Sequence, residues 1–215
     1  MNKHLPKGFG FYLRRMSSKP STNDINLLID RLKTAKASWV SLMVESEDGF
    51  INPLSNLKAF ADVIQQNGIE VWVWTFPGSK RASSVSESES AAMLANSCCN
   101  GLNAKGIMLD VEVAYKGKQK ALNAFVGKSI RLTNYSNFTI GFVSYPIPSF
   151  HKDIDWNCLK QCDFGSPMIY DSAKTKTLID KSYNEYVQYN SIWIPSLATY
   201  ETQRSEEHTS ELQSR

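Results

Sequence analysis

Two carboxylates end an apolar run in GIMLDVE, Gly106 to Glu112. Asp110 and Glu112 are separated by one residue, and in a strand alternate side chains share a face. Ile107, Leu109 and Val111 then take the opposite, helix-facing side. A lone acid at a strand end is ordinarily a cap or half of a salt bridge. Two acids on one inward face, carried by a strongly apolar strand, point instead to acid–base chemistry. Close carboxylates push each other's ionisation apart, so one keeps its proton near neutral pH while the other is charged. Glycosidic bond cleavage uses such a pair: one group protonates the leaving oxygen and a negative group stabilises the cationic transition state. Glu112 lies further along the strand and is the expected general acid, with Asp110 its deeper partner.

The elements that must hold this pair alternate regularly. Strand patterns fall at Gly8–Leu13, Trp39–Glu45, Ile69–Phe76, Lys105–Glu112, Phe138–Tyr145, Phe164–Asp171 and Ser191–Glu201. Helical spacing follows in residues 21–37, where Ile25, Leu28, Ile29 and Leu32 share a stripe. It returns in 53–68, stopped by Gly68, in 86–103, in 117–133 and in 175–190, with a short helical turn near 153–161. Seven β units with helices between them predict an α/β protein with a parallel sheet. No GxGxxG or GxxxxGK[ST] follows any strand, which removes the usual nucleotide-binding argument for an open sheet. Polar residues collect at strand C-terminal ends, among them Glu45, Thr75, Asp110, Glu112, Ser144, Tyr170, Asp171 and Glu201, where barrel enzymes place their chemistry. The expectation is a (β/α)8 TIM barrel, truncated after about strand seven.

GIMLDVE resembles the strand-four signature of family 18 glycoside hydrolases, the chitinase-like enzymes, which closes an apolar run with D-x-E. PMIYD, Pro167 to Asp171, is similar to the M-x-Y-D motif of the same family on strand six. The resemblance covers strand order over most of the chain and specific residues at these two places. It implies substrate-assisted hydrolysis of an N-acetylhexosamine glycan, in which the sugar's acetamido oxygen attacks its own anomeric carbon. Glu112 would donate the proton and Asp110 would orient the acetamido group. Tyr170 would hydrogen-bond the acetamido oxygen, with Asp171 helping to hold it and Met168 alternating inward beside Tyr170. The chain departs from the longer family signature, which carries aspartates upstream where Lys105 and Met108 stand here. Family 25 lysozyme-like muramidases also carry D-x-E on strand four and act on peptidoglycan. That resemblance too leaves Glu112 as the acid.

Trp74 and Tyr145 offer flat rings for sugar faces and are candidate substrate contacts or core. The reading places Trp72 or Trp74, but not both, inward. Glu45 either reaches the cleft or is a solvated loop acid. Glu201, at the end of the last strand, would make a retaining pair with Glu112 only at about 5–5.5 Å.

Residues 1–203 form the expected barrel domain. Residues 204–215, RSEEHTSELQSR, read as translated sequencing adapter and are set aside as non-native. The formal net charge is +3, and the tail carries two arginines and three glutamates, so the barrel is slightly more basic still. There is no concentrated basic block, so nucleic acid is not an expected partner. No stretch approaches the roughly 20 apolar residues of a membrane span. The N-terminal residues lack the apolar core of a signal peptide, so a cytosolic protein or one released without a standard signal is expected. Cys98, Cys99, Cys158 and Cys162 are expected to be free buried thiols. Only His4 and His151 precede the tail, which makes a metal site improbable and leaves no cofactor called for. The expectation is a monomeric glycoside hydrolase acting on chitin-like or peptidoglycan polysaccharide. The alternative is a barrel that binds glycan or cell wall without cleaving it.

Overall fold

The computed structural model describes residues 3–14, 22–134, 138–170, 175–190 and 192–197. Asp171, Glu201 and the 204–215 tail lie outside them. Seven strands run β1 (Phe9–Leu13), β2 (Ala37–Met43), β3 (Glu70–Thr75), β4 (Gly106–Asp110), β5 (Thr139–Ser144), β6 (Phe164–Ile169) and β7 (Ser196–Leu197). They form one sheet in sequence order, and every adjacent pair is parallel. The intervening helices are α1 (Thr22–Thr34), α2 (Leu54–Gln66), α3 (Val85–Gly101), α4 (Gln119–Asn134), α5 (Trp156–Leu159) and α6 (Thr175–Tyr186).

A flat sheet would hold β1 and β7 about 29 Å apart, six spacings of about 4.8 Å. Instead the Tyr12 hydroxyl on β1 lies 3.3 Å from Ser196 Oγ on β7. The sheet therefore curls until its outermost strands meet across the interior, as in a (β/α)8 barrel taken through its seventh strand. This settles the choice between an open sheet and a barrel.

Strand alternation sorts the core into two layers. Outward side chains such as Val40, Leu42, Val71, Val73, Ile107, Leu109, Ile140 and Phe142 pack against the helices. The interior layer is aromatic: Trp39, Met43, Trp72, Trp74, Phe76, Met108, Val143 and Phe164, with Tyr12 and Met168 beside them. Trp72 and Trp74 both face inward, against the expectation that only one would. They are two residues apart on one strand, so the pleat gives them the same face. Rings of this size fit because neighbouring inward positions are glycine. A Cβ on Gly10 would collide with the Trp39 ring, on Gly106 with Trp72, and on Gly141 with Phe164. Below the strands, Leu5 packs on this interior layer, and Thr139 Oγ1 donates to the His4 carbonyl at 2.5 Å.

Helix α2 shows how the outer layer forms. Leu57, Phe60, Ala61 and Ile64 repeat at helical spacing and are its buried face. Gly68 follows the helix at φ 75°, the left-handed backbone that closes it. Helix α3 starts one residue earlier than its pattern suggested, because Ser84 caps it by accepting from the Glu87 N–H at 3.1 Å. All four cysteines are free and buried, as expected. Burial pushes the Cys98 thiol up to about 11 and Cys158 up to about 12, so both stay protonated.

Candidate active site

Strand β4 is shorter than its pattern. It ends at Asp110, and Glu112 lies two residues on, at the start of a 3-10 turn over Val113–Tyr115. The Val111 N–H still donates to the Val143 carbonyl at 2.8 Å, and Ser144 Oγ donates to the Val111 carbonyl. The Tyr115 N–H donates to the Glu112 carbonyl at 3.0 Å. Glu112 is thus held on both sides although it is outside the strand.

Asp110 is 5 % exposed and Glu112 8 % exposed. Their carboxyls hydrogen-bond to each other. Two carboxyl groups can do so only when one carries a proton. Burial raises the Asp110 ionisation well above the usual 3.8, and the Glu112 charge and hydrogen bond raise it further. Among the described residues, Asp110 Oδ1 has no hydrogen-bond partner. The pair expected from spacing alone is therefore brought together and buried.

Other groups reach Asp110 that the spacing did not reveal. Glu47, beyond β2, raises its ionisation, and Arg14, beyond β1, opposes that. Arg14 Nη2 and Glu47 Oε1 form an exposed ion pair at 3.2 Å. Tyr12 stands on the inner face of β1 among hydroxyls, with Ser166 Oγ and Ser196 Oγ 2.8 Å apart and Ser196 bridging to it. Burial raises the Tyr12 ionisation, hydrogen bonds to Ser196 and Ser166 lower it, and the Asp110 charge raises it. The tyrosine is therefore a neutral hydroxyl within electrostatic reach of Asp110. Its signal lay in GFGFYL, where Gly8, Gly10 and Tyr12 alternate onto one face.

The remaining candidates distribute unevenly. Met168 is half-buried and belongs to the interior layer, and Tyr170 follows β6 at 38 % exposure. Tyr145 sits past the end of β5, stacked on His151 at 3.7 Å with Lys116 Nζ 4.9 Å from its ring centre. Trp74 is only 7 % exposed and packs edge-on against Tyr12 at 5.7 Å, within the floor beneath the acids. Glu45 is no solvated loop acid. It is 2 % exposed, and Arg81 Nε donates to its Oε1 at 2.8 Å. The carboxylate from this connection whose charge acts on Asp110 is Glu47.

No family model matches the chain, and no curated protein matches it in sequence. Solved structures do match in fold. The spore cortex-lytic enzyme SleL of Bacillus megaterium superposes with a TM-score of 0.63 at 14% identity, over 87% of this chain and 49% of that one. A family 18 chitinase from Pseudoalteromonas aurantia gives 0.61 at 14% identity, over 90% of this chain and 81% of that one. The chitinase domain of the spore coat protein CotE from Clostridium difficile gives 0.61 at 11% identity, over 89% of this chain and 65% of that one. The chain spans about half the length of the cortex-lytic enzyme it matches. At these identities the likeness establishes the barrel fold.

Proposed function

We propose that this barrel is a glycoside hydrolase acting on N-acetylhexosamine glycans of the chitin or peptidoglycan type. The observation that carries the reading is the buried, hydrogen-bonded Asp110–Glu112 pair at the mouth of a barrel. A pair that holds one proton has what the chemistry needs. The proton that Asp110 holds at rest passes across the pair to Glu112, which then protonates the glycosidic oxygen as the bond to the anomeric carbon breaks. The charged Asp110 accepts from the acetamido N–H while the acetamido oxygen attacks the anomeric carbon and takes on positive charge. Glu112, now a carboxylate, then accepts a proton from the water that opens the cyclic intermediate. In this reading Tyr170 donates to the acetamido oxygen with Asp171 beside it, and Tyr145 lends its ring to the sugar. Structures of similar fold include a chitinase and a cortex-lytic enzyme, which favours the same substrate class.

The test is release of reducing sugar from chitin oligomers and from peptidoglycan by the purified protein and by Glu112→Gln. Loss of a general acid is expected to lower turnover by about 10²–10⁴-fold while the variant still binds glycan. A folded wild type that binds either glycan and releases nothing would establish the non-catalytic barrel instead.

A further inference from the structure

Backbone pairing between β4 and β5 ends at Val111, so whatever fixes the chain past Glu112 lies outside the sheet. The turn that follows is hydrogen-bonded within itself. The Tyr115 N–H donates to the Glu112 carbonyl at 3.0 Å, the Lys116 N–H to the Val113 carbonyl at 3.2 Å and the Lys118 N–H to the Tyr115 carbonyl at 3.0 Å. Such a turn shifts as one piece unless a neighbour holds it.

The neighbour is the connection between β5 and α5. Gly117, at the left-handed φ of 68°, donates its N–H to the Asp153 carbonyl at 2.7 Å. Gln119 and Asn123, one helical turn apart on α4, donate their side-chain amides to Asp155 Oδ2 at 3.0 and 3.4 Å. The other oxygen of Asp155 accepts from the Cys158 N–H at 3.4 Å and caps α5. One carboxylate thus joins the start of α4 to the start of α5. The connection is itself braced. The Tyr186 hydroxyl of α6 donates to the Tyr145 carbonyl at 2.7 Å. Glu185 of α6 accepts from the Ser149 N–H at 2.7 Å and from its hydroxyl at 2.8 Å. The buried Trp156 indole donates to the His151 carbonyl at 2.8 Å, and Ile154, between the two aspartates, is buried in the outer core. A turn tied to this connection is therefore tied to α6 and to the core.

We propose that Asp155 is a positioning residue for Glu112. It locks the turn that follows Glu112 against the β5–α5 connection and acts through that turn, without contact to the glycan. The proposal rests on the reading of Glu112 as the acid.

The double variant Gln119→Ala with Asn123→Ala removes both amide donors, leaves the α5 cap in place and puts good helix formers on α4. It is expected to keep the wild-type melting point within about 2 °C. Its kcat should fall about fivefold with KM unchanged within about twofold, since a small displacement of a catalytic group costs turnover. Amide exchange over residues 113–118 should speed up about fivefold, with β2 and α2 unchanged, the shift that loss of one exposed hydrogen bond gives. Asp155→Ala should show the same pattern. Asp155→Asn should restore turnover to within about twofold, because asparagine still caps α5 and the Gln119 and Asn123 amides can turn their oxygens toward it. Unaltered exchange in the double variant overturns the proposal, and so does faster exchange with wild-type turnover. A raised KM at unchanged kcat also overturns it and places these residues in glycan binding. Were the wild type inactive on both glycans, the hydrolase reading would fall, and the exchange rates would still decide whether Asp155 holds the turn.

Discussion

Asp110 and Glu45 are both buried acids at the tops of strands, and the chain neutralises them in opposite ways. Glu45 meets a cation: Arg81 is fixed to it and shared with Glu87, and the Arg81 ionisation is raised, first by its hydrogen bond to Glu45. Asp110 meets another acid, and a proton takes the place of the cation. An ion pair of the first kind is spent on structure, since neither partner can give up its charge without stranding the other. The second arrangement leaves a proton that can be transferred. Burial alone therefore does not mark the reactive carboxylate; the nature of the neutralising partner does.

The contrast breaks most visibly in stability. Glu45→Ala leaves Arg81 without its main partner. The expected cost is about 3 kcal/mol, the low end for a broken buried pair, because Arg81 keeps Glu87 and some solvent contact. In a chain of this size that lowers Tm by roughly 6–12 °C. A thermal melt showing no loss would mean that the pair holds nothing in place.

Asp110→Asn is expected to act with the opposite sign. The folded protein holds the Asp110 proton more tightly than the unfolded chain does. Stability from this group is fully present below about pH 4. It is lost as pH rises through the usual carboxylate range and on through the raised folded value. An asparagine cannot ionise, so the variant escapes that loss. Its melting point should match wild type near pH 3.5 and exceed it by about 2–4 °C at pH 7. Turnover should fall about 100-fold at the same time. A gap that stays constant with pH would show that Asp110 does not bind its proton more tightly in the folded state.

What could be read from sequence followed the period-two pattern. Strand order, the outward set Ile107, Leu109 and Val111, and the shared placement of Asp110 and Glu112 all depend on local alternation, which a single segment carries. The same rule applied to Trp72 and Trp74 would have put both rings inward. The partners were harder to find. Arg81 stands 36 positions from Glu45 in a three-residue turn with no periodicity. Arg14, Glu47 and Tyr115 reach the site from three other connections, and nothing in the neighbouring residues says which way those connections fold. Contacts between loops are fixed by closure of the barrel, a long-range event with no local signature.

The smallest expected effect concerns the floor beneath the acids. Met108 shares the inner face with Asp110, is 1 % exposed, and lies in register between Trp74 on β3 and Gly141 on β5. The signature that this strand resembles places aspartates upstream of the D-x-E pair. Here the position is apolar, and Asp110 turns to Glu112 for its hydrogen bond. Met108 then contributes volume, filling space between indole and glycine. Met108→Leu conserves that volume and should cost below about 1 kcal/mol, with turnover within about twofold of wild type. Met108→Asp would bury a third carboxylate on the same face, two residues from an acid that already resists ionising, and should destabilise the fold more than the leucine variant does. Comparing the two melts separates packing from charge. A leucine variant that loses turnover while keeping its melting point would show that the thioether does more than fill the floor, and Asp110 would then depend on a neighbour below it as well as on Glu112.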